Sequence, residues 1–365
     1  KQPPEFPLKN RLPKPSKAQF AAGQIDLTAS FDAADKLSEK AVADLKKTET
    51  LLKEKFKDSL GAPPPALSAE QALEQADPSH RLAASHRKFE AIGKGAPADE
   101  NLSNQIAQLN KLEQDTHCFA TTPPRRILSQ GAQDALRSLV LKRIEAKDSL
   151  SGFNLSALEL QHVDFSGCDL RSVNFGRARL NGCRFTGANL TRASFVGADV
   201  SSCDFTNVDL HMSGWAKARL SDCCFEQAAL DRSRWSRATL SGCAFGSANL
   251  LGAFFQHATL TDTGFEGAEL GGSQWVNIEA HGCSWAKSRA KGISFLAATF
   301  RNPVFAGSAW RKSALINCQA SSAVLDRADW QKVLISGKAE TTDWSGSSWR
   351  GARLTECGLR GANLA

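Results

Sequence analysis

The sequence predicts an all-β solenoid of about 10–11 coils, preceded by an α-helical N-terminal region. Three observations carry this reading. Bulky apolar residues recur at every fifth position: of the 37 residues numbered in fives from 155 to 335, 34 are Leu, Ile, Val, Phe or Trp. All eight tryptophans, at 215, 235, 275, 285, 310, 330, 344 and 349, fall in this series or in its continuation. Two places before each bulky residue stands a small or β-branched one, as at Val163, Cys168, Val173, Ala178 and Cys183.

The elements follow in chain order. Residues 1–30 are punctuated by Pro3, Pro4, Pro7, Pro13 and Pro15 and read as an extended linker. Residues 31–150 read as a helical arm. In its first part, Leu37, Ala41, Leu45, Leu52, Phe56 and Leu60 recur at helical spacing opposite a face of Lys and Glu, which predicts a long amphipathic helix. Gly61 and Pro63 to Pro65 end it. Shorter helical patterns follow near 68–76, 80–92, 100–113 and 130–146. The last carries Leu136, Leu139, Val140 and Ile144 on one face and is placed to cap the first coil.

Residues 151–365 are the repeat region. A period of five fits neither a helix nor a flat strand. It fits a chain that bends once per unit and sends two residues of each five inward. Ala280, Ala290 and Ala320 are the exceptions in the bulky series, and after Ile335 the phase slips by four residues before resuming at Trp344. A second period sets the coil. Cys183, Cys203, Cys223, Cys243 and Cys283 stand at steps of 20, and Phe165, Phe185, Phe205, Phe225 and Phe245 do the same. Four units per turn would stack like on like. Coils spaced ~4.8 Å apart would give a rod on the order of 50 Å long.

At this point a resemblance is visible. Units such as Ala188-Asn189-Leu190-Thr191-Arg192, Ala248-Asn249-Leu250 and Ala362-Asn363-Leu364 resemble the consensus of pentapeptide repeat proteins over residues 153–365. The resemblance implies a right-handed quadrilateral β-helix. It implies packing rather than chemistry, because the motif records which residues face the axis.

Composition excludes several function classes. No apolar run is long enough for a membrane span. Residue 1 is Lys and Met212 is the sole methionine, which suggests a piece of a longer chain. Eight of ten cysteines occupy the small inward position without C-x-x-C pairing, so they read as small hydrophobes in a reducing compartment, the bacterial cytoplasm. The seven histidines share no metal spacing, and no nucleotide-binding or hydrolase motif is present. The expectation is therefore no catalytic residue, no metal, no cofactor and no enzyme activity.

The resemblance also raises DNA mimicry toward type II topoisomerases, which needs an acidic rod. Here residues 151–365 carry 22 Lys and Arg against 18 Asp and Glu, and the charges alternate up columns such as Asp164, Arg184, Asp204 and Arg179, Asp199, Arg219. Stacked opposite charges satisfy one another. Direct nucleic-acid binding is not expected either, since Phe254 is the one clear outward aromatic.

The outward feature that stands out is apolar. Val276, Leu296 and Ile316 lie 20 residues apart, Leu334 is expected on the same face, and Val304 and Val324 are expected to form a second column on the adjoining face. Together with Phe254 these are the candidate partner-binding residues. The stripe is either a docking surface for another protein or the seat of the chain's own helical arm. The terminal coil has no sequence-visible cap, which raises pairing with a second copy through the C-terminal coils. The leading function is a non-enzymatic scaffold, with the resemblance suggesting an adaptor or structural component of a bacterial type VI secretion system and export by it. A topoisomerase inhibitor or protector is the alternative, and an effector with activity in the helical half the second.

Overall fold

In the computed structural model, which describes residues 66–76, 127–336 and 343–360, the bulky fifth residues turn inward without exception from Leu155 to Ile335, each at most 7 % exposed. The chain forms a β-solenoid of about 10 coils with parallel pairing throughout. Three-residue strands, one inward residue flanked by two outward ones, stack coil on coil into sheets of nine, six and four strands among the described residues. Single bridges such as Asp164 with Arg184 and Val304 with Val324 complete the fourth face. Each residue pairs with the one 20 places on, as Leu160 does with Leu180 and Phe295 with Leu315. Past Ile335 the step becomes 24, with Trp330 beside Leu354 and Ile335 beside Leu359. The phase slip is thus absorbed as four extra residues within one coil; beyond it Trp344 is fully buried, while Leu354 on the last described coil is exposed.

The bend has a fixed place in the unit. The second residue after each bulky one adopts the left-handed conformation, from Ala157 (φ 60°) to Lys332 (φ 55°). At many corners the turn is closed by a backbone bond, such as Ala178 N–H to Phe175 O at 2.9 Å around Arg177 (φ 56°), where a type II turn requires a positive φ at its third position. The small inward residue comes next, because the chain re-entering the interior after a tight bend leaves little room for a side chain. Glycine is needed at Gly182, where φ is +59° and an added Cβ would stand 2.5 Å from His162 Nδ1 in the coil below.

Inside, aromatic rings stack along the axis. Phe185, Phe205 and Phe225 lie parallel at centroid spacings of 4.7 Å, and Phe195 stacks on Trp215 at 4.0 Å. Rings from neighbouring columns meet edge to face, as Phe205 does with Trp215 at 5.7 Å. Two of the three alanine exceptions have a packing reason. Phe300 stands between Ala280 and Ala320 in its column, so one large and two small residues share the volume that three leucines would fill.

The two described helices are built onto the first coil. Helix α1 (Ala69–Ala76) and helix α2 (Gln130–Glu145) agree with two of the expected helices. Ser68 and Gln71 form a reciprocal capping box before α1. Ser129 Oγ accepts from Ala132 N–H at the start of α2. Ala132, Leu136 and Val140 of α2 are buried. Gln133 reaches the open edge of the first coil: its Nε2 donates to Ala157 O at 2.9 Å, and its Oε1 accepts from Glu159 N–H at 2.9 Å. Arg137 donates to Glu159 O at 3.1 Å. One amide side chain therefore stands where a preceding strand would be, and the expected cap is present. The linker 1–30, the long helix up to residue 60 and the helices expected at 80–92 and 100–113 lie outside the described residues.

Candidate functional site

Four faces surround the axis, and the seven candidate residues are distributed over two of them. The register places Phe254, Gln274, Ser294, Ala314 and Leu334 in one outward column, and Gln256, Val276, Leu296 and Ile316 in the parallel one, on either side of the inward line Phe255, Trp275, Phe295, Leu315 and Ile335. Five candidates, Phe254, Val276, Leu296, Ile316 and Leu334, thus share a single sheet. Leu296 is 40 % exposed and the other four are half-buried.

Val304 and Val324 do not adjoin them. Two corners, at Ala297 (φ 51°) and Asn302 (φ 52°), separate Leu296 from Val304. Each corner turns the chain by a quarter, so the Val304–Val324 column lies on the opposite face. The expectation of an adjoining column is corrected: eight residues along this chain is half a circuit.

The Phe295 face differs from the others in charge. Residues 151–365 hold 18 Asp and Glu. Among the described residues, none occupies an outward position on this face or the corner that follows it in the chain, which together carry Asn154, Asn174, Gly176, Arg177, Val196, Gly214, Ala216, Lys217, Arg234, Arg237, Gln256, His257, Asn277 and Asn317 beside the apolar residues above; the corner that precedes the face holds Glu356 against Lys332. The other described acids lie on the remaining three faces and their corners, where several meet arginines one coil away. Arg219 pairs with Asp199 at 2.6 Å, Arg179 with Glu159 at 2.8 Å and Arg184 with Asp164 at 3.6 Å. Arg177, Lys217 and Arg237 have no such partner among the described residues.

The face also changes along its length. Its outward side chains in the first coils are buried, Ser194 at 2 %, Val196 at 1 % and Ala216 at 4 %. From Arg234 onward the same positions are half-buried or exposed. The open part therefore begins with Arg234 and Arg237 and runs through Phe254 to Leu334. Arg234 bridges directly to Phe254 in the next coil. This basic-to-apolar transition was not apparent in the sequence, because its members stand 20 residues apart with acids of other faces between them.

The buried polar groups serve packing. Cys183, Cys203, Cys223 and Cys243 are buried, and each thiol donates to the carbonyl two residues before it, as Cys203 Sγ does to Ser201 O at 3.3 Å. The Cys203 and Cys223 thiols are pushed up by hydrogen bonding with their ladder neighbours Cys183 and Cys243 and by burial. Burial pushes Cys283 up to about 11 and Cys318 to about 12. Thiols held protonated in this way are poor nucleophiles and poor ligands. Among the described residues, no group of three His, Cys, Asp or Glu could hold a metal ion. None of the described helices is long and apolar enough to cross a membrane.

The geometry can be set beside known proteins. Residues 147–215 match the family described as pentapeptide repeat region, and residues 238–273 match pentapeptide repeats. No curated protein sequence matches the chain. Among solved structures, the chain is similar to HetL, a pentapeptide repeat protein involved in heterocyst differentiation regulation from the cyanobacterium Nostoc sp. strain PCC 7120. Identity is 21%, covering 62% of this chain and 95% of that one, with a TM-score of 0.37. It is also similar to QnrB1, a plasmid-mediated fluoroquinolone resistance protein, at 13% identity over 54% of this chain and 89% of that one, with a TM-score of 0.31. Neither likeness carries an argument about what this chain does. The two matched stretches thus carry pentapeptide repeats, and the same coil register continues beyond them through Ile335.

Proposed function

We propose that this chain is a non-enzymatic scaffold, a rigid rod that docks a protein partner on the open part of its Phe295 face. The observation that supports this is the gathering of Phe254, Val276, Leu296, Ile316 and Leu334 on one sheet. A contiguous apolar stripe across five coils is costly to leave in water and is what protein interfaces use at their centres. A rod whose interior is a closed aromatic stack holds such a stripe flat, so little ordering is lost on docking. Val304 and Val324 lie on the far side and form no part of the surface.

The readings from other classes draw less support. A topoisomerase-directed DNA mimic needs an acidic rod, whereas here Arg–Asp and Arg–Glu pairs stand on three faces and the outward charges of the fourth are basic. The suggestion of a type VI secretion role rests on family resemblance alone, and no residue named here bears on it.

The test is site-specific photocrosslinking in the source cell, with the photoreactive residue placed at Leu296 or, as a control, at Val324. A protein adduct that forms from position 296 and not from 324, and that Ile316→Asp abolishes, is the expected result. Equal adducts from both faces, or none from 296, would overturn the proposal. An adduct with a second copy of the chain would make the face a self-association surface and overturn the reading of a separate partner.

A further inference from the structure

Building on this docking reading, we infer that the open Phe295 face takes an acidic amphipathic helix of the partner, laid along the rod axis with its carboxylates over Lys217, Arg234 and Arg237. Three features of the face converge on that chemistry.

The first is charge. Lys217 and Arg237 occupy successive corners of one column, so their backbones are a single coil apart, ~4.8 Å. Arg234 stands three residues before Arg237 on the same face. Like charges stacked at that distance disfavour the fold. On other faces several cations are neutralised one coil away, as Arg289 is by Glu269 and Arg219 by Asp199. Among the described residues no acid pairs with Lys217 or Arg237, so an incoming carboxylate meets at these two a charge not already matched by such an acid.

The second is continuity. The cations run without a break into the apolar stripe through the Arg234–Phe254 bridge, and His257 N–H donates to Val276 O and Asn277 N–H to Leu296 O as the column continues. A nucleic-acid backbone would satisfy the cations and leave Val276, Leu296 and Ile316 without an apolar partner. A segment that is acidic at one end and apolar along one side matches both halves.

The third is length and pitch. From Phe254 to Leu334 the stripe spans four coil steps, ~20 Å. A helix of about 13 residues is that long, and it presents one face-forward residue every ~5.4 Å. That repeat is close to the coil spacing, so successive turns of the helix can sit over successive coils.

The probes are two dye-labelled amphipathic peptides of identical apolar pattern, one with Glu and Asp at its polar positions and one with Lys. Binding to the full chain is followed by fluorescence anisotropy and by the gain of peptide helicity. The acidic peptide is expected to bind at least tenfold tighter than the basic one, to weaken as salt rises, and to gain helix on binding. The double substitution R234E/R237E should invert the preference, and Leu296→Asp should weaken both peptides, with melting temperatures checked to confirm that each variant folds. Equal affinity for the two peptides, both lost in Leu296→Asp, would overturn the charge inference and leave the docking reading standing. Binding that ignores Leu296→Asp would overturn both. Tighter binding of single-stranded DNA than of the acidic peptide would overturn the assignment to a protein helix.

Discussion

The indole Nε1 of Trp235 donates to Ser233 Oγ at 2.8 Å in the buried interior of the rod. The same relation recurs at Trp215 with Ser213 and at Trp275 with Ser273, each at 2.9 Å. At Trp310 and Trp330 the acceptor is the serine 22 residues back, Ser288 or Ser308, one coil below. Five serines at the small inward position, Ser213, Ser233, Ser273, Ser288 and Ser308, thus serve as acceptors for a tryptophan. Trp285, preceded by Cys283, has a buried Nε1 with no partner.

Ser233→Ala should therefore cost about 1–3 kcal/mol, the penalty for a buried donor left unmade. Ala238→Gly would not report on this bond. Chemical denaturation monitored by tryptophan fluorescence checks it, and an unchanged midpoint would show that the hydroxyl contributes nothing.

Gln133 carries the N-terminal cap through its two bonds to Ala157 and Glu159. Gln133→Leu keeps the bulk and removes both bonds, so the loss should be about 2 kcal/mol or less, confined to the first coil. Hydrogen exchange reads this locally: the Glu159 amide should exchange faster while the amides of Phe205 and Leu240 keep their protection. Uniform loss of protection would mean that α2 supports the whole rod.

Alkaline pH should weaken the fold through the inward thiols. Cys283 and Cys318 are raised to about 11 and about 12 by burial, against roughly 8.5 for a free thiol. Their contribution is complete below the unfolded value and is lost as pH rises from there through the folded value. Melting temperatures measured from pH 8 upward should fall, and Cys318→Ala, which suits the small position, should flatten that slope. An identical slope in the variant would remove the thiol as the cause.

Asp169 acts in the opposite direction. The Arg171 guanidinium, with help from Ser149, holds its carboxyl down to about 2. Because the folded value is depressed, the stabilisation is present above about 4 and is lost as pH falls toward 2. Asp169→Asn should remove that part of the acid dependence, at a cost near neutral pH of under about 1 kcal/mol for so exposed a pair. Carboxyl chemical shifts of Asp169 followed by NMR would settle the value directly.

Most of the fold was legible before any coordinates. The period of five placed the bulky residues from Leu155 to Ile335 on the axis, and the cysteine step of 20 gave the coil length, because side-chain volume at the axis leaves no freedom to slip: one residue out of register would put Phe and Trp in water and Arg inside. The helix facing the first coil was legible too, since Leu136 and Val140 recur at helical spacing. The cap's chemistry was not, because a glutamine that imitates a strand reads as any other polar residue.

What the sequence by itself determined about this protein is therefore radial: which residues point in and how many make a circuit. What only the tertiary structure decided is azimuthal. Leu296 and Val304 are near in the chain and on opposite sides of the rod, while Arg234 and Phe254, 20 residues apart, touch across one coil step. The corners in between set that arrangement, and the cations, the apolar stripe and the missing acids became one surface when the chain was wound around its axis.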